Sequence, residues 1–194
     1  MQSAIAAALA LAAPPACADP LPSAREVLEA DALHARYWWV GYTSVYTAAA
    51  LAQTGFALTA YTEAERVDYL VGAASSWLGV GGMILSPIPR VQRAADEARR
   101  TGRWEEGLAR AAEAEALSFA WYNHLACAAV AVAAGAVLWL GYDRPGPAAL
   151  NFASNLIVGE INLITAPRRA RRRRARAAQG WRIAPAGGGF VVSW

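Results

Sequence analysis

Two side chains inside apolar helical stretches carry the most chemical potential in this sequence, His124 and Glu160. An imidazole beside a carboxylate can pass a proton, orient a small polar molecule, or tie two helices together. Around them lie the carboxamides of Asn123, Asn151, Asn155 and Asn162, each able to donate and accept hydrogen bonds. In an apolar medium such groups cost several kcal/mol unless the protein satisfies them, so their partners have to be found within the fold. At about 100° per residue, Asn151, Ser154, Asn155, Asn162 and Thr165 share one helical stripe, while Glu160 falls opposite among Leu156, Ile157, Leu163 and Ile164. Neighbouring helices must therefore cover at least one of these faces. His124, Glu160, Asn123, Asn151, Asn155 and Asn162 form the candidate buried polar site.

The elements that must place them read as four hydrophobic spans, at about 37–60, 67–88, 119–139 and 148–166. Aromatic residues mark several ends: Tyr37, Trp38, Trp39 and Tyr42 at the first, Tyr61 at its exit, Trp121 and Tyr122, then Trp139 and Tyr142 around the third. Such rings favour headgroup depth. The connector Gly141-Tyr-Asp-Arg-Pro-Gly-Pro147 forces a reversal, so the third and fourth spans form an antiparallel hairpin. At 1.5 Å per residue His124 lies about 26 Å and Glu160 about 18 Å from the hairpin end, in the same half of the bundle. The two can meet directly or through Asn123, Tyr122 or water. Small residues at Ala126, Ala129, Ala133 and Ala136, and the Gly79-Val-Gly81-Gly82 patch, offer close helix approach. No strand precedes those glycines and no Lys-Ser/Thr follows, which excludes a phosphate loop.

The composition agrees with a membrane protein. More than half of the 194 residues are hydrophobic, with a mean hydropathy of +0.22 over the chain. All eighteen basic residues are Arg, a bias that fits a GC-rich bacterial genome and weakens any functional reading of single Arg positions. Residues 1–18 hold a short apolar run ending Ala16-Cys17-Ala18, the pattern of a secretory signal peptide although no basic residue opens it. Without that segment Cys127 is the single thiol, which excludes an internal disulfide framework and reads as a small hydrophobe. His124, Cys127 and Glu160 do not make a metal set, no second His lies within the spans for haem, and no nucleophile triad can be built. No catalytic, cofactor or metal residues are assigned.

Outside the spans, Ser23-Ala-Arg-Glu26 is a capping box that starts a polar helix leading into, or kinking before, Tyr37. His34 on it reads as solvated. Residues 90–118 read as two amphipathic helices broken at Thr101-Gly102, a charged extramembrane hairpin supported by Asp96–Arg100 and Glu106–Arg110 pairs. From Arg168 to Arg176 seven of nine residues are Arg. Beside a hydrophobic helix, Arg168, Arg169, Arg171, Arg172, Arg173, Arg174 and Arg176 read as a stop-transfer signal able to touch anionic lipid, and not as a nucleic-acid site. The last residues, 181–194, alternate about a Pro/Gly turn as a short β-hairpin would. The expected organisation is thus a signal peptide (1–18), an all-α four-helix transmembrane bundle (19–167) and an Arg-rich tail (168–194).

Four spans place the N-terminus, residues 87–118 and the Arg run on one face. Signal cleavage puts that face outside, whereas the positive-inside rule puts it in the cytoplasm. The expectation adopted is a bacterial inner-membrane protein with an exported N-terminus. The phrases Trp121-Tyr-Asn-His124 and Ile157-Val-Gly-Glu-Ile-Asn162, with Thr165-Ala-Pro167 after them, resemble patterns in small uncharacterised bacterial multi-span membrane proteins. That resemblance covers the last third of the chain and implies no activity. The functional expectation is a structural or interaction component held together at His124 and Glu160; the alternative is a proton- or small-molecule-handling protein using the same residues.

Overall fold

Two reciprocal capping boxes set the register of the first half of the chain. In the computed structural model, which describes residues 21–179, 182–186 and 189–193, Ser23 and Glu26 exchange hydrogen bonds at the start of α1 (Ala24–Thr59). Thr62 and Glu65 do the same for α2 (Glu63–Leu85). The proposed signal segment, with Cys17, lies outside the described residues. Helix α1 is continuous, so of the two courses left open by the sequence it runs straight into Tyr37 without a kink; at 1.5 Å per residue the rod is about 54 Å long. Pro87 and Pro89 end α2, and Pro89, which lacks a backbone N–H, opens α3 (Pro89–Thr101) at a position where none is needed. Gly102, at φ 73°, turns the chain into α4 (Trp104–Ser118), as the Thr101-Gly102 break predicts. Then come α5 (Trp121–Ala136), a π-helical turn (Val137–Gly141), α6 (Pro145–Thr165) and α7 (Arg169–Gln179). A two-stranded antiparallel ribbon, β1 (Arg182–Ala186) with β2 (Gly189–Ser193), follows.

The helices sort into two regions. The N-terminal half of α1 packs with α3, α4 and α7 into a cap, while its C-terminal half, α2, α5 and α6 form a bundle. The main buried cluster belongs largely to the cap: Val27, Leu28, Ala32, Ala35, Val91, Ala95, Leu108 and Ala111 interlock there. Alanine lets these helices approach closely, and each fully buried Leu contributes about 1.5–3 kcal/mol. At Gly107 an added Cβ would lie 2.8 Å from Leu28 and 2.9 Å from Ala98, so only glycine fits between α1 and α3.

In the bundle, by contrast, large apolar side chains point outward, among them Leu58, Leu70, Ile84, Leu140, Leu150 and Ile164. Two helical stretches, Glu63–Thr101 and Trp104–Gly141, are long and apolar enough to cross a membrane by length and composition, where the sequence pattern predicts four spans. The other two fall short for a chemical reason. Helix α6 carries three Asn and Glu160, and the second half of α1 is rich in Thr, Tyr, Gln and Gly.

Packing also corrects two stripes. Ala126, Ala129 and Ala133 are exposed, and the buried face of α5 is Ala131 and Ala134. The close α5–α6 approach occurs at Gly159, where a Cβ would stand 3.0 Å from Cys127 Sγ. The glycine patch on α2 works through Gly79 alone, which seats the ring of Tyr46; Gly81 and Gly82 face open space. Trp38 and Trp39, expected in an outer aromatic belt, turn inward. Their indole N–H groups donate to Asn162 O (3.1 Å) and Met83 O (2.8 Å), fastening α1 to α6 and α2 where cap meets bundle.

Candidate functional site

The hairpin of α5 and α6 brings His124 and Glu160 together, with Nδ1 2.8 Å from Oε2. The pair ties two helices, but it is not buried: the side chains are 39 % and 37 % exposed. Its companions lie elsewhere. Asn123 donates to the carbonyls of Leu117 (2.8 Å) and Ser118 (3.1 Å), closing the end of α4 instead of joining His124. Tyr122 also turns to the Leu117 carbonyl, at 3.4 Å. Asn155 bonds back to Asn151, whose carbonyl it meets at 3.0 Å. Asn162 is buried and reaches only the thioether of Met83, at 3.4 Å. The candidate site therefore divides into a peripheral His124–Glu160 pair and an inward Asn face.

That Asn face opens on a cavity of about 350 Å³ between the four bundle helices. Asn123, Asn155 and Asn162 line it with Ser75, Tyr46 and Trp38, whereas His124, Glu160 and Asn151 do not. The opposition of the Asn stripe and Glu160 on the helical wheel thus survives as two separate environments.

A second polar cluster escapes sequence reading. Asp31 and Glu115, expected on solvated surfaces, are both fully buried in the cap. Their positions follow from spacing: Val27, Leu28, Asp31, Ala32 and Ala35 occupy one face of α1, and Leu108, Ala111, Ala112, Glu115 and Ser118 one face of α4. Both carboxylates receive the N-terminus of α7. Asp31 Oδ2 accepts from Ala170 N at 2.6 Å and Glu115 Oε2 from Arg171 N at 2.8 Å. The free backbone N–H groups of a helix start favour such anions. Burial pushes the Glu115 carboxyl up to about 8, helped by a hydrogen bond to Asp31 and by its charge. At neutral pH Glu115 thus holds its proton. Asp31 Oδ1 and Glu115 Oε1 are buried and meet no hydrogen-bond partner among the described residues.

The Arg run is consequently a docked helix. Arg168 and Arg171 lie over the ring of Phe119, at 4.1 and 4.9 Å from its centre. Arg173 holds Glu105 through both terminal guanidinium nitrogens (2.8 and 3.0 Å) and donates from Nε to the Pro22 carbonyl. Its charge is already answered, which removes it from the set expected to meet lipid. Arg169, Arg172, Arg174 and Arg176 stay exposed.

Other pairs also differ from the expected ones. Asp96 binds Arg99 at 2.7 Å rather than Arg100, and Arg110 takes Glu97 across the α3–α4 hairpin while keeping Glu106 at 3.9 Å. The Arg110 hydrogen bond holds the Glu97 carboxyl below its usual range. At the far end of the bundle Arg144 grips Asp68 with two nitrogens, closing the α5–α6 turn onto the start of α2. In comparisons with protein-family models, with curated proteins and with solved structures, none matches this chain.

Proposed function

We propose that the chain is an integral membrane protein whose bundle crosses the bilayer four times, and that it acts as a structural or interaction component rather than an enzyme. The observation carrying this reading is the inverted polarity of the two regions, apolar side chains outward on the bundle and inward in the cap. Hydrocarbon accepts the first arrangement and water the second. Within it the His124–Glu160 pair locks α5 to α6, and the cap lies at one membrane surface. The exposed Arg169, Arg172, Arg174 and Arg176 then meet anionic lipid headgroups, each Arg near the surface adding about 1 kcal/mol. A bacterial inner membrane is the expected location.

Proton handling through Glu160 and His124 is less well supported, because neither lines the cavity. Carbonate washing of membranes, combined with a topology reporter at each end of the full chain, tests the reading. The protein is expected to stay in the membrane pellet, with both reporters on the same side. Release into the carbonate supernatant, or reporters on opposite sides, rejects it.

A further inference from the structure

The cavity between α1, α2, α5 and α6 is already within the size range of small-molecule sites, roughly 300–1,000 Å³. Its chemistry is selective in two ways. No Asp, Glu, Arg or His lines it, so an ion entering would lose hydration without finding a counter-charge. Most of its donors, moreover, are already committed to the protein. Ser75 and Ser118 give their hydroxyl protons to the carbonyls of Val71 and Ala114, both at 3.0 Å. The Asn123 and Asn155 amides give theirs to α4 and to Asn151. The Trp38 indole donates to the Asn162 backbone.

What remains on the wall is three carboxamide oxygens, which can only accept, and the hydroxyls of Tyr46 and Ser86, which can accept or donate. Among the described residues, nothing donates to the carboxamide oxygens of Asn123, Asn155 or Asn162. Asn162 is the sharpest case, since the residue is only 7 % exposed and its amide has a thioether as its single side-chain partner. Its carboxamide oxygen is open to the cavity, where a ligand donor can reach it. Leu78, Leu85, Val130, Val158 and Leu163 complete the lining with apolar surface.

We infer that this cavity binds an uncharged amphiphile that donates hydrogen bonds from hydroxyl groups, a monoacylglycerol-like alcohol, with Asn162 as its main acceptor and the apolar wall holding its chain. The inference rests on the proposed membrane reading only for the route of arrival, sideways from the lipid.

The test uses the full chain in phosphatidylcholine nanodiscs with a diazirine-bearing monoacylglycerol, and peptide mass spectrometry locates the adducts. Adducts are expected on cavity residues, displaced by unlabelled monoacylglycerol and not by its dimethyl ether, which accepts but cannot donate. Asn162→Leu is expected to lower cavity labelling about fivefold, the worth of one hydrogen bond. Gly82→Leu supplies a second variant, because Gly82 lines the cavity and a Cβ there meets nothing within 4 Å. It is expected to fold and to abolish labelling by filling the space. Labelling spread evenly over outward residues such as Leu58 and Leu150, which do not line the cavity, equal displacement by alcohol and ether, or full labelling of Gly82→Leu each overturns the assignment. Flotation of proteoliposomes reads insertion separately, so a protein that floats without a cavity adduct refutes the ligand alone.

Discussion

Cap and bundle share one helix, α1, yet they solve opposite problems. In the cap, Leu28, Val91 and Leu108 are buried to 1 % exposure or less and the ion pairs lie outside; in the bundle, Leu58, Leu85 and Leu140 are more than 80 % exposed and carboxamides line the interior. The cap nevertheless contains the more demanding polar arrangement. Among the described residues its two buried carboxyls pair with no cation; they are held by the start of α7, and Glu115 keeps its proton at neutral pH. The pair in the bundle is held by one contact at its edge. Mutations should therefore cost most where the molecule looks most like an ordinary soluble protein.

The largest effect is expected at Asp31. Asp31→Ala leaves the buried Ala170 N–H without its acceptor and opens a space beside the Glu115 carboxyl, and a buried donor left unsatisfied costs about 1–3 kcal/mol before the lost packing is added. Limited proteolysis should release the chain beyond Pro167, while the bundle stays intact. Coincident loss of cap and bundle would erase the distinction between them.

Proton linkage gives the next test. Between pH 4.5 and about 8 the folded chain keeps a proton on Glu115 that the unfolded chain has lost. The stability tied to that proton is full below pH 4.5, falls as pH rises through the window, and levels off above about 8. Glu115→Gln keeps a neutral donor for Asp31 and an acceptor for Arg171, so cap stability should lose this slope without losing α7. Proteolysis of α7 measured from pH 5 to 9 in both proteins checks it.

Glycines compare the regions directly. Gly107→Val pushes into Leu28 and Ala98 and should cost the cap about 1–3 kcal/mol. Gly81→Ala adds a methyl to open space in a helix and should change thermal stability by less than about 0.5 kcal/mol. Comparable losses in the two variants would contradict the packing described.

The smallest effect is expected at the peripheral pair. Glu160→Gln or His124→Phe should lower bundle stability by about 0.6–1.7 kcal/mol, the range of polar contacts between membrane helices. Steric trapping in bicelles can resolve such a change. A loss well above this range would mean that the pair does more than tie α5 to α6.

What was legible in the sequence depended on how local the information was. The meeting of His124 and Glu160 followed from a tight turn and a fixed rise per residue, because the two lie on adjacent arms of one hairpin. The capping box at Ser23 and the break at Gly102 were equally local. Asp31 and Glu115 were not: each sits at an apolar position of its own helix, but residue type suggested solvent, and their partners come from α7, far along the chain. The small-residue stripe of α5 failed for a related reason. Ala at helical spacing permits close approach without saying which face a neighbour takes, and the contact formed at Cys127 and Gly159 instead. The Arg run showed its charge and hid its docking, since Phe119, Glu105 and Pro22 converge on it only in three dimensions.

The unbroken α1 has a mechanical consequence. A beam of about 54 Å with its collar of contacts near Trp38 behaves as a lever: swinging Leu28 sideways obliges Ala57, at the other extremity, to swing the opposite way.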